Sequence, residues 1–160
     1  MKKKLFWDLD DVLADFTGYV NYVHKTNYKV GDMMKYSEWE ELRVNHQRMF
    51  ASLKPKPTMS IAYDLGRKFD SAILTALPVD DHSPWSYAAH DKFTWVHRVC
   101  PQFPMFVGPY AHQKHRHCQP GDLLVDDKES NCIEWEAADG KAFLFRDNLK
   151  ELELWLKSNV

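Results

Sequence analysis

Hydrophobic positions along this chain alternate between short unbroken runs and longer stretches with helical spacing. The first run, Leu5-Phe6-Trp7, reads as a short buried strand and passes straight into Asp8, Asp10 and Asp11. A helical pattern then begins at Val12-Leu13 and continues through Phe16, Tyr19, Val20 and Val23. It ends near Asn27, and Gly31 marks a turn. From Lys29 to Leu53 the pattern is helical but irregular, carried by Met33, Met34, Trp39, Leu42, Met49 and Phe50, and nothing between Thr17 and Lys54 has the pattern of a strand. Lys54-Pro55-Lys56-Pro57 breaks the chain. An amphipathic helix is predicted over Ser60–Phe69 and a second buried strand over Ser71–Thr75. An aromatic-rich helix over Trp85–Val99 follows, then a third strand over Phe103–Val107, where Pro104 is compatible only with a strand start or a sheet edge. The fourth strand runs from Asp122 into Asp126 and Asp127. A helix over Glu129–Ala138 with Gly140 as its stop, a strand over Ala142–Phe145 and a Leu-rich helix over Leu149–Leu156 complete the chain.

Strands that alternate with helices imply a mostly parallel sheet with right-handed crossovers. The expected architecture is a three-layer, Rossmann-like α/β domain with a small helical cap inserted after the first strand. Residues 1–16 and 55–160 would form the core and residues 17–54 the cap.

Composition narrows the function classes. At 160 residues, 44% hydrophobic and 28% charged, the chain can bury a real core and is not disordered. A net charge of −2 predicts no general attraction to nucleic acid or anionic membrane. No apolar stretch approaches a membrane span, and the N-terminus has no signal-peptide pattern, so a cytoplasmic location is expected. Cys100, Cys118 and Cys132 are odd in number and widely spaced, which suits reduced thiols.

Three of the strands end on polar groups: Asp8 and Asp10, Thr75, and Asp126 and Asp127. In a parallel sheet these ends share one edge, where open α/β sheets bind ligands. On a regular strand Asp8 and Asp10 would face the same way and repel each other. A hard cation such as Mg²⁺ relieves that repulsion; an Asp-rich solvated loop is the plain alternative. Lys114 and Arg116, just before the fourth strand, can reach the same edge. Carboxylates, a hydroxyl and a cation aimed at one cleft suit metal-assisted chemistry on a phosphoryl group.

With these motifs in order, the chain resembles the haloacid dehalogenase-like (HAD-like) hydrolases over nearly its whole length. Phe6-Trp7-Asp8-Leu9-Asp10-Asp11-Val12-Leu13 is similar to the first motif, Ile73-Leu74-Thr75 to the second, Lys114 to the third, and Leu123-Leu124-Val125-Asp126-Asp127 to the fourth. Val12–Phe16, Asp122–Asp127, Lys92-Phe93-Thr94-Trp95-Val96 and Phe50-x-x-Leu53-x-Pro55-x-Pro57 most resemble the 5'(3')-deoxyribonucleotidases. The resemblance implies a Mg²⁺-dependent phosphatase of nucleoside monophosphates, monomeric or homodimeric, without a membrane or stable nucleic-acid partner. Asp8 would be the nucleophile, forming an aspartyl-phosphate, and Asp10 the proton donor and acceptor. Thr75 and Lys114 would hold the phosphoryl group, and Phe16 would pack on the nucleotide. Asp8, Asp10 and Asp127, assisted by Asp126, would hold the metal. Two positions depart from the pattern: Asp11 stands where the family usually has Gly, and an ungapped alignment puts Arg116, not Lys114, at the third motif.

Other readings compete with this one. His112, His115, His117 and Cys118 could be a zinc site, though the spacing fits no familiar finger and surface loop histidines are the expectation. Trp39, Trp85, Tyr87, Trp95 and Tyr110 could stack on a base, but most should be packing residues. Asp15 is as suited to starting a helix as to binding a ligand; Lys92 could approach the phosphate but is expected on a solvated helix face, and Asn131 is expected to fix the loop after Asp127 and not to touch substrate. The alternative functions are a phosphatase for another small phosphorylated metabolite or a nucleic-acid end, and a non-catalytic phosphate-binding protein.

Overall fold

Five short strands carry the apolar runs: β1 (Lys4–Trp7), β2 (Asp70–Thr75), β3 (Met105–Val107), β4 (Leu123–Asp126) and β5 (Lys141–Leu144). In the computed structural model, which describes residues 1–78, 85–108 and 111–160 except the side chains of residues 111 and 112, they form one parallel sheet in the order β3-β2-β1-β4-β5. Seven α-helices connect or flank them among the described residues: α1 (Phe16–His24), α2 (Tyr36–Asn45), α3 (Met49–Ser52), α4 (Thr58–Asp64), α5 (Ala88–Val99), α6 (Glu129–Ala137) and α7 (Leu149–Asn159).

Alternation along the strands builds three layers. Leu5, Trp7, Ile73, Leu123 and Val125 face one side and join the cluster that holds Trp95 of α5 and Leu152 and Leu156 of α7. Phe6, Ala72, Leu74 and Leu124 face the other side and pack on Trp135 of α6. Strands buried on both faces have no polar side, which is why they read as continuous apolar runs. Gly140 is fixed by this packing, since a Cβ there would lie 2.4 Å from Trp135 Nε1 and 2.6 Å from Cys118 Sγ.

The helical insert lies between β1 and β2. It leaves and rejoins the sheet at one place: Asp15 N–H donates to the Lys54 carbonyl (2.8 Å) and Lys56 N–H to the Leu13 carbonyl (2.8 Å). Its apolar residues Phe16, Val20, Leu42, Met49, Phe50 and Leu53 belong to the same cluster as the sheet, so the insert has no separate core.

Several boundaries differ from the sequence pattern for local reasons. The helix does not start at Val12, because Asp11 turns the chain in a left-handed conformation (φ 65°) and Ala14 is bridged to Asp10 and to Pro55. Leu13 and Ala14 N–H instead both turn back to the Leu9 carbonyl, each at 2.9 Å. The first helix ends at His24, not near Asn27, because Lys25 is left-handed (φ 54°). The predicted helix over Ser60–Phe69 is α4 followed by a 3-10 turn over Gly66–Lys68. The third strand begins only after Pro104 and lies at the sheet edge, as a proline there requires.

Candidate active site

The sheet order places β1 at the centre: the chain moves outward from β1 to β2 and β3, then returns to the other side of β1 as β4. The junction of β1 and β4 is therefore the switch point where such sheets open a crevice beyond their C-terminal ends. Asp8 follows β1 directly, its N–H donating to the Val125 carbonyl at 2.9 Å, and Asp126 is the last residue of β4. Asp8, Asp126 and Asp127 bring one carboxylate oxygen each to within 4.8 Å of one another.

Lys114 lies inside this cluster. It sits on a 3-10 turn (Ala111–His117), is buried, and donates from Nζ to Asp8 Oδ1 (2.6 Å) and Asp126 Oδ2 (2.8 Å). Gly108 makes room for its stem, since a Cβ there would stand 3.2 Å from Lys114 Cγ. Arg116 is exposed, so Lys114 is the cation that reaches the carboxylates. Burial works against the Lys114 charge, but Asp126 and Asp8 outweigh it and hold the ammonium above its ordinary range. Asp126 has no solvent exposure; besides Lys114 it accepts from Lys128 N–H (2.9 Å) and Asn131 Nδ2 (3.1 Å). Burial and the nearby Asp8 charge push the Asp126 carboxyl up despite Lys114. Asp127, half-buried and within hydrogen-bond reach of Asp8, is pushed well above the usual carboxylate range by burial and by the Asp8 charge. With all of them ionised, three carboxylates against one ammonium leave two negative charges. A divalent cation that prefers oxygen ligands fits that donor set in charge and chemistry.

Asp10 is not part of this trio. It lies beyond the end of β1, so it shares no strand face with Asp8, and its Oδ2 is drawn to Lys92 Nζ at 2.6 Å. Its Oδ1 is buried without a hydrogen-bond partner. Asp10 was expected to help hold the metal as well; its carboxylate oxygens stand outside the cluster formed by Asp8, Asp126 and Asp127. Thr75 is also placed differently: it is fully buried, its hydroxyl accepts from Lys92 Nζ (3.1 Å), and it does not line the cavity. The neighbouring Ala76 and Leu77 line the wall instead.

Lys92 is the residue that sequence reasoning assigned wrongly. It is 2% exposed, not a solvated helix lysine. The signal was its position: with Ala88, Trp95 and Val96 it lies on the stripe of α5 that faces inward. Asp11 was underread in the same way. Its carboxylate accepts from Thr17 N–H and Thr17 Oγ1, both at 2.7 Å, while Asp15 Oδ1 accepts from Gly18 N–H at 2.9 Å, so two acids cap the start of α1. Burial raises the Asp11 carboxyl to about 6 even though Thr17 and Lys56 oppose the shift.

A cavity of about 620 Å³ opens above the acids. Asp8, Asp10, Asp127, Lys92 and Lys114 line it, together with apolar residues that come largely from the insert, among them Phe16, Val20, Met34, Trp39 and Phe50. Of these, Phe16 lies on Trp39 (centroids 5.3 Å apart, 27° between planes) and on Phe50 (6.2 Å, 11°). Phe16 is buried, whereas Trp39 is 37% exposed. Trp95 is core, its Nε1 donating to the Leu53 carbonyl at 2.7 Å, and Tyr110 lies outside the described residues. His115 Nδ1 lies 3.6 Å from Glu134 Oε2 and His117 packs on Phe6 and Phe106. Among the described residues the only metal-competent cluster is the Asp trio; the His112 side chain lies outside them. No described helix is long and apolar enough to cross a membrane.

No protein-family model matches the chain, and no curated protein is detectably similar to it. Among solved structures, a hydrolase from Streptococcus pneumoniae TIGR4 is similar at a TM-score of 0.56 and 11% identity, covering 98% of each chain. The HAD domain of effector protein Lem4 from Legionella pneumophila, in an inactive mutant, is similar at a TM-score of 0.43 and 12% identity, covering 99% of this chain and 94% of its own. At 11% identity the first likeness shows the fold alone, and the lower score of the second adds nothing to it. That fold is a Rossmann-type α/β arrangement, a five-stranded parallel sheet with helices on both faces.

Proposed function

We propose that this chain is a Mg²⁺-dependent phosphatase that hydrolyses nucleoside monophosphates through an aspartyl-phosphate on Asp8. The observation that carries the proposal is the separation of the acids: three converge at the switch point, two of them on Lys114, while Asp10 stands apart on Lys92. A protein that only bound phosphate would have no use for the second arrangement.

In the first half-reaction an Asp8 oxygen attacks phosphorus, and the bond from phosphorus to the ester oxygen breaks as Asp10 gives that oxygen a proton. Asp10 then accepts a proton from water, whose oxygen attacks the acyl-phosphate phosphorus; inorganic phosphate leaves and Asp8 is regenerated. Lys114 holds Asp8 in place and meets the negative charge that builds on the phosphoryl oxygens. Asp8, Asp127 and Asp126 are the residues that would hold Mg²⁺, which when bound offsets the charge between nucleophile and phosphate. Within the trio Asp127 is the freer ligand, because Asp126 is committed to Lys114, Lys128 and Asn131. Asp127→Ala is therefore expected to raise the Mg²⁺ concentration needed for half-maximal activity far more than to lower stability. Asp126→Ala should chiefly lower stability. A Mg²⁺ titration of activity beside a urea unfolding curve for each variant reads the difference, and the reverse ranking would exchange the two roles.

The apolar lining of the cavity supports a substrate with a planar base. Phe16 is covered by its neighbours, so Trp39 is the ring with surface left to offer. Losing a stacking partner costs ~1–3 kcal/mol per base, roughly 5- to 150-fold in affinity. Trp39→Ala should lower kcat/KM by such a factor on a nucleoside monophosphate and much less on p-nitrophenyl phosphate. Equal losses would make Trp39 a supporting residue. Phosphate release from a panel of deoxy- and ribonucleoside monophosphates, sugar phosphates and p-nitrophenyl phosphate, with and without Mg²⁺, tests the function itself. If no nucleotide exceeds p-nitrophenyl phosphate, the nucleotide part of the proposal falls; if nothing is hydrolysed, the whole of it does.

A further inference from the structure

Lys92 is a charged side chain buried in the interior, and its surroundings account for every donor it has. An ammonium has three N–H bonds. Here Nζ lies 2.6 Å from Asp10 Oδ2, 2.7 Å from the Ala76 carbonyl and 3.1 Å from Thr75 Oγ1, with the Phe50 ring centroid 4.7 Å away. The three oxygens come from the loop after β1 and from the end of β2, and the ring comes from the insert. With its donors used, Lys92 has none left for a substrate phosphate, although it lines the cavity. The adjacent Asp91 is buried as well and is bound by Arg48 through Nε and Nη2, both at 2.8 Å. That pair pins this turn of α5 to the residue preceding α3.

We infer that Lys92 is a positioning residue for Asp10. By binding Oδ2 it keeps the Asp10 carboxylate out of the trio of Asp8, Asp126 and Asp127 and fixes how that acid stands at the cavity wall. The inference rests on the phosphatase function proposed above, and it adds to that function a reason why two acids so close in sequence do different work. Without Lys92, Asp10 would be free to rotate toward the cation held by the other acids, and the leaving group would lose its proton donor.

The test is the first turnover of Lys92→Met, with enzyme in excess, on an alkyl phosphate and on p-nitrophenyl phosphate. An alkoxide needs a proton as it departs, whereas p-nitrophenolate leaves without one. Lys92→Met should lose roughly 100-fold or more on the alkyl ester and less than about tenfold on the nitrophenyl ester, the pattern of lost general-acid catalysis. Equal losses on the two esters overturn the inference, because a residue that merely supports the fold does not distinguish leaving groups. Lys92→Gln, which keeps a polar end in the buried site, is measured beside it and stands in if Lys92→Met does not fold. A crystal structure of the variant reads the same inference without turnover: the Asp10 carboxylate should have left its place. If it has not, the inference fails whatever the enzyme hydrolyses. If the wild type hydrolyses no ester at all, the phosphatase proposal fails, and the position of Asp10 in the variant still decides the inference.

Discussion

Asp8→Asn is expected to reduce turnover by about 10⁴-fold or more, the scale seen when a nucleophile is removed from a covalent mechanism. The substitution keeps the size of the side chain and retains an oxygen to accept the Lys114 bond at the Oδ1 position. It removes the charge that attacks phosphorus. Stability should move the other way. The Asp8 charge is one of the causes that raise the carboxyls of Asp126 and Asp127, so the folded chain without a metal holds like charges at close range. Removing one of them should raise the melting temperature in EDTA while abolishing phosphate release. An active Asp8→Asn enzyme would sink the covalent mechanism. An inactive variant that melts earlier than wild type would mean that the carboxylate is structural.

Lys114→Met should have the largest effect on the fold. Lys114 is the ammonium shared by Asp8 and Asp126, and both it and Asp126 are buried. Deleting one partner of a buried ion pair leaves the other charge uncompensated and costs roughly 3–5 kcal/mol. That is a large share of the ~5–15 kcal/mol by which a domain is stable. The loss should depend on pH with a definite sign. The Asp126 and Asp127 carboxyls are raised in the folded chain, so their contribution to stability is present at low pH and is lost as pH rises through their raised values. In Lys114→Met nothing counters that loss, and the gap to wild type should widen from acid to neutral pH. Excess Mg²⁺ should narrow it again by supplying the missing positive charge. Urea unfolding across pH, with and without Mg²⁺, reads all three effects; a deficit that is constant with pH would mean the lysine stem matters more than its charge.

The sheet and the carboxylate trio were legible in the sequence for one reason. A buried parallel strand has to be apolar throughout, so the first acid after it marks both the strand end and the ligand edge. Asp8 and Asp126 announce themselves in that way. What could not be read was direction. Asp10 and Asp8 share a period on paper, but the chain turns after Trp7 and Lys92 takes hold of one and not the other. Lys92 itself was hidden by the habit of placing lysines in solvent, although its place on the inward stripe of α5 was visible. Thr75 was correctly located at the end of β2, yet whether its hydroxyl faced the cavity or a buried ammonium depended on a residue seventeen positions away. Asp11 shows the reverse: its left-handed backbone falls where the resembled family usually has Gly, while its capping of α1 required knowing where that helix starts.

The central position of β1 has a consequence for how the chain is made. Of the five strands it is made first, yet its partners are β2, complete only at Thr75, and β4, complete only at Asp126. Until then Leu5-Phe6-Trp7 is an apolar segment with unpaired edges, the kind of surface that nascent chains must shield from self-association. The insert and α4 are synthesised before β2, so the first lasting cover for Trp7 and Leu9 comes from helices that need no long-range pairing. The crevice between β1 and β4 can close only once β4 has been made, after β2 and β3. Damage to β4 should therefore appear as insoluble protein during expression before it appears as a slow enzyme.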